Sequence, residues 1–128
     1  MSEGLEVVIP ADSAELSELR RRVDVWAGPY LLPAALQDLK LAITEACANA
    51  VQHSGTSEIR VSVRFVEDCV EVVVEDDGIY LVQLYGLDDD PEAHRGLALM
   101  AAMVDTLTLR RGTESSTGTT VRMRKCQT

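Results

Sequence analysis

The sequence predicts an α+β fold, a two-layer sandwich in which helices cover one face of a mixed, mostly antiparallel sheet. Three observations lead there. The stretches "SEIRVSVRFVED" and "CVEVVVEDDG" alternate at period two and are dominated by β-branched residues, the pattern of neighbouring half-buried strands. Two earlier stretches and a later one, "GLALMAAMVD", carry apolar residues at helical spacing. The order β-α-α-β-β-loop-α-β-β then suits an antiparallel sheet with its helices on one side.

Each element has its own signals. "LEVVIP" is a short apolar run closed by Pro10, which fits an edge strand because proline cannot donate to a ladder. In "ADSAELSELRRRVDVWA" either Asp12 or Ser13 can cap a helix whose apolar stripe is Leu16, Leu19, Val23 and Trp26. Gly28-Pro29 ends it. After Pro33 a second helix buries Leu36, Leu39, Ile43, Ala46 or Cys47, and Ala50, with Gly55 as its stop. The turn between the two central strands falls near Glu67-Asp68. From Ile79 to Arg95 the periodicity fails, and "LDDDPEAHR" reads as an acidic surface loop. A helix opening at Gly96 follows, then two closing strands, "TLTLRRG" and "GTTVRMRK", around the polar turn "TESST".

Composition bounds what the chain does. Its 128 residues make a single domain, 1–128, and at 46% hydrophobic but 4% aromatic the core is built from Leu, Val, Ile, Ala and Met. No run approaches the roughly 20 apolar residues of a membrane span, and "MSEGLEVVIPADSAE" lacks the start of a signal peptide. A cytoplasmic protein without membrane contact is expected. The net charge of −9 speaks against direct nucleic-acid binding. Within that acidic total, Arg122, Arg124 and Lys125 alternate with Val121 and Met123 as on a strand with one solvated face. Arg20-Arg21-Arg22 is either a solvated helix face or a contact for an acidic partner. Cys47, Cys69 and Cys126 form no CxxC pair and leave an odd number, which argues for buried free thiols rather than a disulfide framework or zinc site.

Three segments place polar or glycine residues where packing does not require them. "ITEACANAVQHSG" sets Glu45, Asn49 and His53 four apart, hence on one helical face. An amide oxygen suits Mg2+ shared with substrate phosphates, and a glutamate one turn earlier can deprotonate an attacking group. His53 fits equally well as a packing histidine. "VVVEDDGIY" ends a strand in a carboxylate, Asp76, able to accept from an exocyclic amine, followed by Gly78, a residue able to take a positive φ. "HRGLALM" opens a helix on Gly96, where free N–H groups favour phosphate.

With these residues in view, "EACANAVQH" resembles the Glu-x-x-x-Asn-x-x-x-His box of the GHKL ATPases, the superfamily of gyrase, histidine kinases and MutL. "DDGIY" resembles their adenine-reading Asp-x-Gly-x-Gly box, "HRGLALMAAMVD" their second glycine box, and "GTTVRM" their closing Gly-Thr strand. The short length and the "RGLALM…MVD" wording are similar to the anti-sigma-factor serine/threonine kinases of the sporulation and general-stress type. The resemblance runs from about Leu5 to Lys125. It implies the Bergerat ATP-binding fold, with ATP and Mg2+ as cofactors. Glu45 would then be the catalytic base and Asn49 the Mg2+ ligand. Asp76 would bind the adenine amine, Gly78 would give close backbone approach, Gly96 would lie at the phosphate-facing helix start, and Thr119 would support the adenine pocket. Arg20 would grip the sigma factor. The other partner would be an anti-anti-sigma antagonist of the STAS type, phosphorylated on serine or threonine, and the first helix and strand would form a homodimer.

The chain departs from that pattern at named positions. Tyr80 and His94 stand where glycines are expected, and Glu92 falls near the place of a lid arginine, with Arg95 as its candidate replacement one turn on. Two functions therefore compete. One is the kinase that sequesters a sigma factor. The other is a regulatory binding module of the same fold, its nucleotide chemistry weakened or lost, acting by protein contact.

Overall fold

Pleating turns the alternating stretches into a two-faced sheet. The computed structural model describes residues 4–53, 57–77, 91–111 and 118–126. Its elements are β1 (Leu5–Pro10), α1 (Leu16–Ala27), α2 (Pro33–His53), β2 (Glu58–Val66), β3 (Cys69–Asp76), α3 (Pro91–Met103), β4 (Thr106–Arg111) and β5 (Thr119–Cys126). Ile59, Val61, Val63, Val70, Val72, Val74, Val121 and Met123 alternate along three strands and are all buried against the helices. The α2 stripe meets them with Leu36, Leu39, Ile43 and Ala50, and it buries both Ala46 and Cys47.

The strand order is β1-β2-β3-β5-β4. Every neighbouring pair is antiparallel, so the described sheet is wholly antiparallel where the sequence suggested a mixed, mostly antiparallel one. β5 returns between β3 and β4, and those two strands, which run the same way, never pair. The β2–β3 connection is the expected two-residue turn, Glu67 and Asp68 both at positive φ (51° and 65°), as the twist of a tight hairpin requires. Asp12 caps the chain's entry to α1 by accepting from the Ala14 N–H at 3.0 Å. Tyr30, after α1, stacks on Phe65 of β2 at 4.7 Å and meets Trp26 at 5.4 Å, which fixes the end of α1 against the sheet.

The final helix corrects one expectation. It begins at Pro91, not at Gly96, so half of the expected acidic loop is helical. Proline is suited to the first helical position, where its missing N–H is no loss. That signal was present in "DDDPEAHR" and outweighs the polar composition.

The cysteines supply another correction. Cys69 and Cys126 are joined by a disulfide, and Cys47 is a buried free thiol. The two half-cystines lie 57 residues apart but face each other at the end of the β3–β5 register. Local spacing cannot reveal a pairing that antiparallel register creates. Burial pushes the Cys47 thiol up to about 12.

The sheet face away from the helices holds a buried charge. Glu71 is 1% exposed. Its Oε1 accepts from Arg64 Nε and Nη2 at 3.1 and 2.9 Å, and its Oε2 accepts from Arg124 Nε at 2.9 Å. The three residues sit side by side across β2, β3 and β5, and the arginine stems cover the carboxylate. Burial alone would raise the Glu71 carboxyl, but hydrogen bonds and charge from Arg64 and Arg124 outweigh it and hold the group below its ordinary 4.5.

A carboxyl depressed in the folded state stabilises it above the unfolded pKa, and the contribution is lost as pH falls through the folded value. Glu71→Gln should therefore cost roughly 1–3 kcal/mol in denaturant unfolding at neutral pH. The gap to wild type should close below about pH 4.5, the ordinary value; a gap that is constant with pH would contradict the assignment. Thiol titration checks the cysteines: without reductant the native protein should show no reactive thiol, unfolding should expose Cys47, and reduction should add Cys69 and Cys126.

Candidate functional site

The site is built where α3 crosses α2 closely. Gly96 lies in the second turn of α3, and a Cβ there would come within 2.7 Å of Glu45 Oε1 and 3.1 Å of Asn49 Nδ2. Any side chain would displace the end of Glu45 and crowd the Asn49 amide, so glycine here keeps these two polar groups in place rather than exposing a helix start. Asn49 is buried at 7% exposure and Glu45 is half-buried. A cleft of about 300 Å³ opens over this crossing, lined by Glu45, Asn49, Gln52, Arg95, Gly96 and Leu99.

Beneath the cleft, a narrow cavity of about 20 Å³ reaches the sheet. Asn49, Asp76, Leu97, Met100 and Thr119 are among its walls. Asp76 and Thr119 are direct cross-strand partners in the β3–β5 ladder, which explains why a strand end and a strand start far apart in sequence share a wall. Thr119 is buried, and its Oγ1 has no hydrogen-bond partner among the described residues. A buried hydroxyl without a partner is costly, and it leaves a polar atom on this wall. Gly118 holds the ladder's entry. Its φ is +120°, and a Cβ there would lie 2.6 Å from the Asp76 carbonyl oxygen.

The structure thus gathers Glu45, Asn49, Arg95 and Gly96 around one cleft, and Asn49, Asp76 and Thr119 around the cavity below it. Arg20 stands apart on α1, donating to Thr44 Oγ1 at 3.5 Å beside Glu45, while Arg21 and Arg22 pair with Glu18 on their own helix. The triplet is therefore divided, with one arginine spanning to α2 and two on a solvated ion pair. Gly78 and Tyr80 lie outside the described residues, as do the side chains of His53, Glu92 and His94. Gln52 was not singled out in the sequence. It lies three residues after Asn49 and seven after Glu45, so helical periodicity alone could have found it.

The family is clear from this geometry together with the chain's relatives. The model of the histidine kinase-like ATPase domain matches residues 9–125, and the chain belongs to that family. Among individual relatives, the serine-protein kinase RsbW of Bacillus velezensis is 36% identical over 70% of this chain and 64% of its own. That of Bacillus subtilis is 33% identical over the same shares. The chain thus spans a little under two thirds of the length of these curated relatives. Solved histidine kinase structures share the fold. The kinase domain of the Erythrobacter litoralis EL346 blue-light activated histidine kinase superposes with a TM-score of 0.59 at 20% identity, covering 91% of this chain and 61% of that one. Acinetobacter baumannii AdeS gives 0.52 at 10% identity, covering 96% and 68%.

Gly96→Ala separates site geometry from stability. Alanine gains about 1 kcal/mol in helix propensity, while the added methyl meets the mobile end of Glu45 and the amide of Asn49. Thermal stability should stay within about 1–2 kcal/mol of wild type, whereas nucleotide affinity should fall clearly. Lost stability with unchanged affinity would mean that Gly96 serves packing alone.

Proposed function

We propose that this chain is an anti-sigma factor that binds a sigma factor and phosphorylates a small anti-anti-sigma antagonist of the STAS type on serine or threonine, using ATP and Mg2+. The observation that carries the reading is the convergence of Glu45, Asn49 and Gly96 at the mouth of a cavity walled by Asp76 and Thr119. The similarity to two RsbW serine-protein kinases supports the reaction class.

The residues fit the cofactor by their chemistry. Thr119 Oγ1 is a buried hydroxyl without a partner among the described residues, Asp76 is a carboxylate on the same wall, and Asn49 offers an amide oxygen suited to Mg2+. Asp76 and Thr119 would hold the adenine end, with Gly78 beside them, while Asn49, Arg95 and the Gly96 backbone would face the phosphates and metal. When bound, ATP with Mg2+ supplies the phosphoryl group and the positive charge that offsets its oxygens. Glu45 then accepts the proton of the attacking hydroxyl at the carboxylate in the open cleft. Arg95, exposed on the cleft wall, adds charge near the transferred group. Catalysis rests on positioning and electrostatics.

Partner contacts follow from the outer elements. Arg20 lies between α1 and α2, within reach of a sigma factor seated beside the cleft. β1 is an edge strand with Val8 exposed, which suits a homodimer through α1 and β1. Such partners belong to the cytoplasm, a reducing compartment in which the Cys69–Cys126 disulfide would be open to reduction. Among the described residues no helix is long and apolar enough to cross a membrane. A second reading has its own support. The inner cavity holds about one water, so adenine enters only if the side chains around it move, and a contact-only regulator of the same fold needs no such movement.

Transfer of labelled phosphate from ATP to a candidate antagonist tests the proposal. Glu45→Ala should slow transfer about 100-fold or more with nucleotide affinity unchanged, and Arg20→Glu should release the sigma factor without affecting nucleotide affinity. Unchanged transfer in Glu45→Ala would remove that residue from its role. A wild type that binds the antagonist without transfer would establish the contact-only reading.

A further inference from the structure

The chain carries a net charge of −9, yet on the outer sheet face the carboxylates Glu6, Glu58, Glu71 and Glu75 all lie on β1–β3, which leaves the β4–β5 half basic. On the sheet face away from the helices, Arg60 and Arg64 of β2, Arg110 of β4, and Arg122 and Arg124 of β5 project outward, as the burial alternation of their strands requires. Arg64 and Arg124 are committed to Glu71. Arg110 and Arg122 are exposed and make no ion pair among the described residues. In the β4–β5 ladder Arg122 stands opposite Thr108, and Arg110 opposite Thr120. The two guanidinium groups are therefore diagonal neighbours with a hydroxyl beside each. The outward residues of this half of the sheet, from Thr106 to Arg110 and from Thr120 to Arg124, include no carboxylate.

The same half ends in a free edge. β4 is the last strand in the order β1-β2-β3-β5-β4, so its outer row of N–H and C=O groups lacks a partner strand among the described residues. Its inward residues, Leu107 and Leu109, are half-buried, packed against the core. An added strand would thus meet arginine and threonine on one face and partly uncovered leucine on the other.

We propose that the edge of β4 receives an extended acidic segment of a protein partner, adding as a further strand. Its carboxylates would face Arg110 and Arg122, and its alternate apolar residues would cover Leu107 and Leu109. Backbone pairing supplies affinity and the alternation supplies specificity. The arginine surface lies on the sheet face away from α2, although Leu109 also lines the inner cavity with Asn49, and the proposal does not depend on the kinase reading.

The test uses the full chain and a fluorescein-labelled peptide alternating Glu and Val, with a Lys/Val peptide and a duplex DNA oligonucleotide as comparisons. The Glu/Val peptide should bind by anisotropy, less tightly as salt rises, and should raise amide-exchange protection across Thr106–Arg111. Arg110→Glu with Arg122→Glu should weaken it at least about fivefold. The milder Arg110→Ser with Arg122→Gln should weaken it too, and Arg21→Glu should leave it unchanged. Equal binding of the Lys/Val peptide, no change in either double variant, or protection elsewhere would overturn the proposal. Preferential binding of the duplex would overturn it in favour of nucleic acid.

Discussion

The approach of α3 to α2 at Gly96 sets the rest of the site. A missing Cβ lets a helix backbone lie directly against Glu45 and Asn49, and the polar ends of those side chains are thereby held at a cleft rather than spread along a solvated stripe. Asn49, at 7% exposure, is the hinge of the arrangement, because it lines both the open cleft and the narrow cavity beneath it. Polar groups so placed are costly without partners. Glu45 and Asn49 avoid that cost by facing the open cleft, whereas the buried Thr119 hydroxyl on the cavity wall has no partner among the described residues.

The sheet supports that site by an antiparallel register that joins remote segments. Asp76 and Thr119 face each other at one end of the β3–β5 ladder, and Cys69 and Cys126 at the other. Between them Glu71 anchors three strands through Arg64 and Arg124. One ladder therefore carries a cavity wall on the helix side and an ionic network on the outer side. Removing the Glu71 charge acts on stability, whereas changing Thr119 acts on the cavity, although the two residues lie on neighbouring strands.

Much of this was legible in the sequence where the signals were local. Period-two alternation in β2 and β3, the Glu67-Asp68 turn, and the α2 stripe all follow from side-chain periodicity. The four-residue spacing of Glu45 and Asn49 put both on the face that lines the cleft, since a helix converts spacing directly into position. What could not be read depends on register or tertiary approach. The Cys69–Cys126 bond spans 57 residues and has no local mark. The insertion of β5 between β3 and β4, which leaves the described sheet wholly antiparallel, has none either. The start of α3 at Pro91 did have one, but acidic composition masked it. From the sequence Gly96 reads as a helix opener, whereas it lies in the second turn of α3 against Glu45 and Asn49, a contact visible only when both helices are present.

The central claim is that the Asp76–Thr119 wall and the Glu45–Asn49 mouth form one nucleotide site. Calorimetric titration of ADP with Mg2+ into the wild type, Asp76→Asn and Thr119→Val tests it most directly. Binding in the wild type should be saturable and one-site, weakened about tenfold or more by Asp76→Asn and measurably by Thr119→Val, all with unchanged folding. No saturable heat in the wild type, or equal affinity in all three proteins, would contradict it.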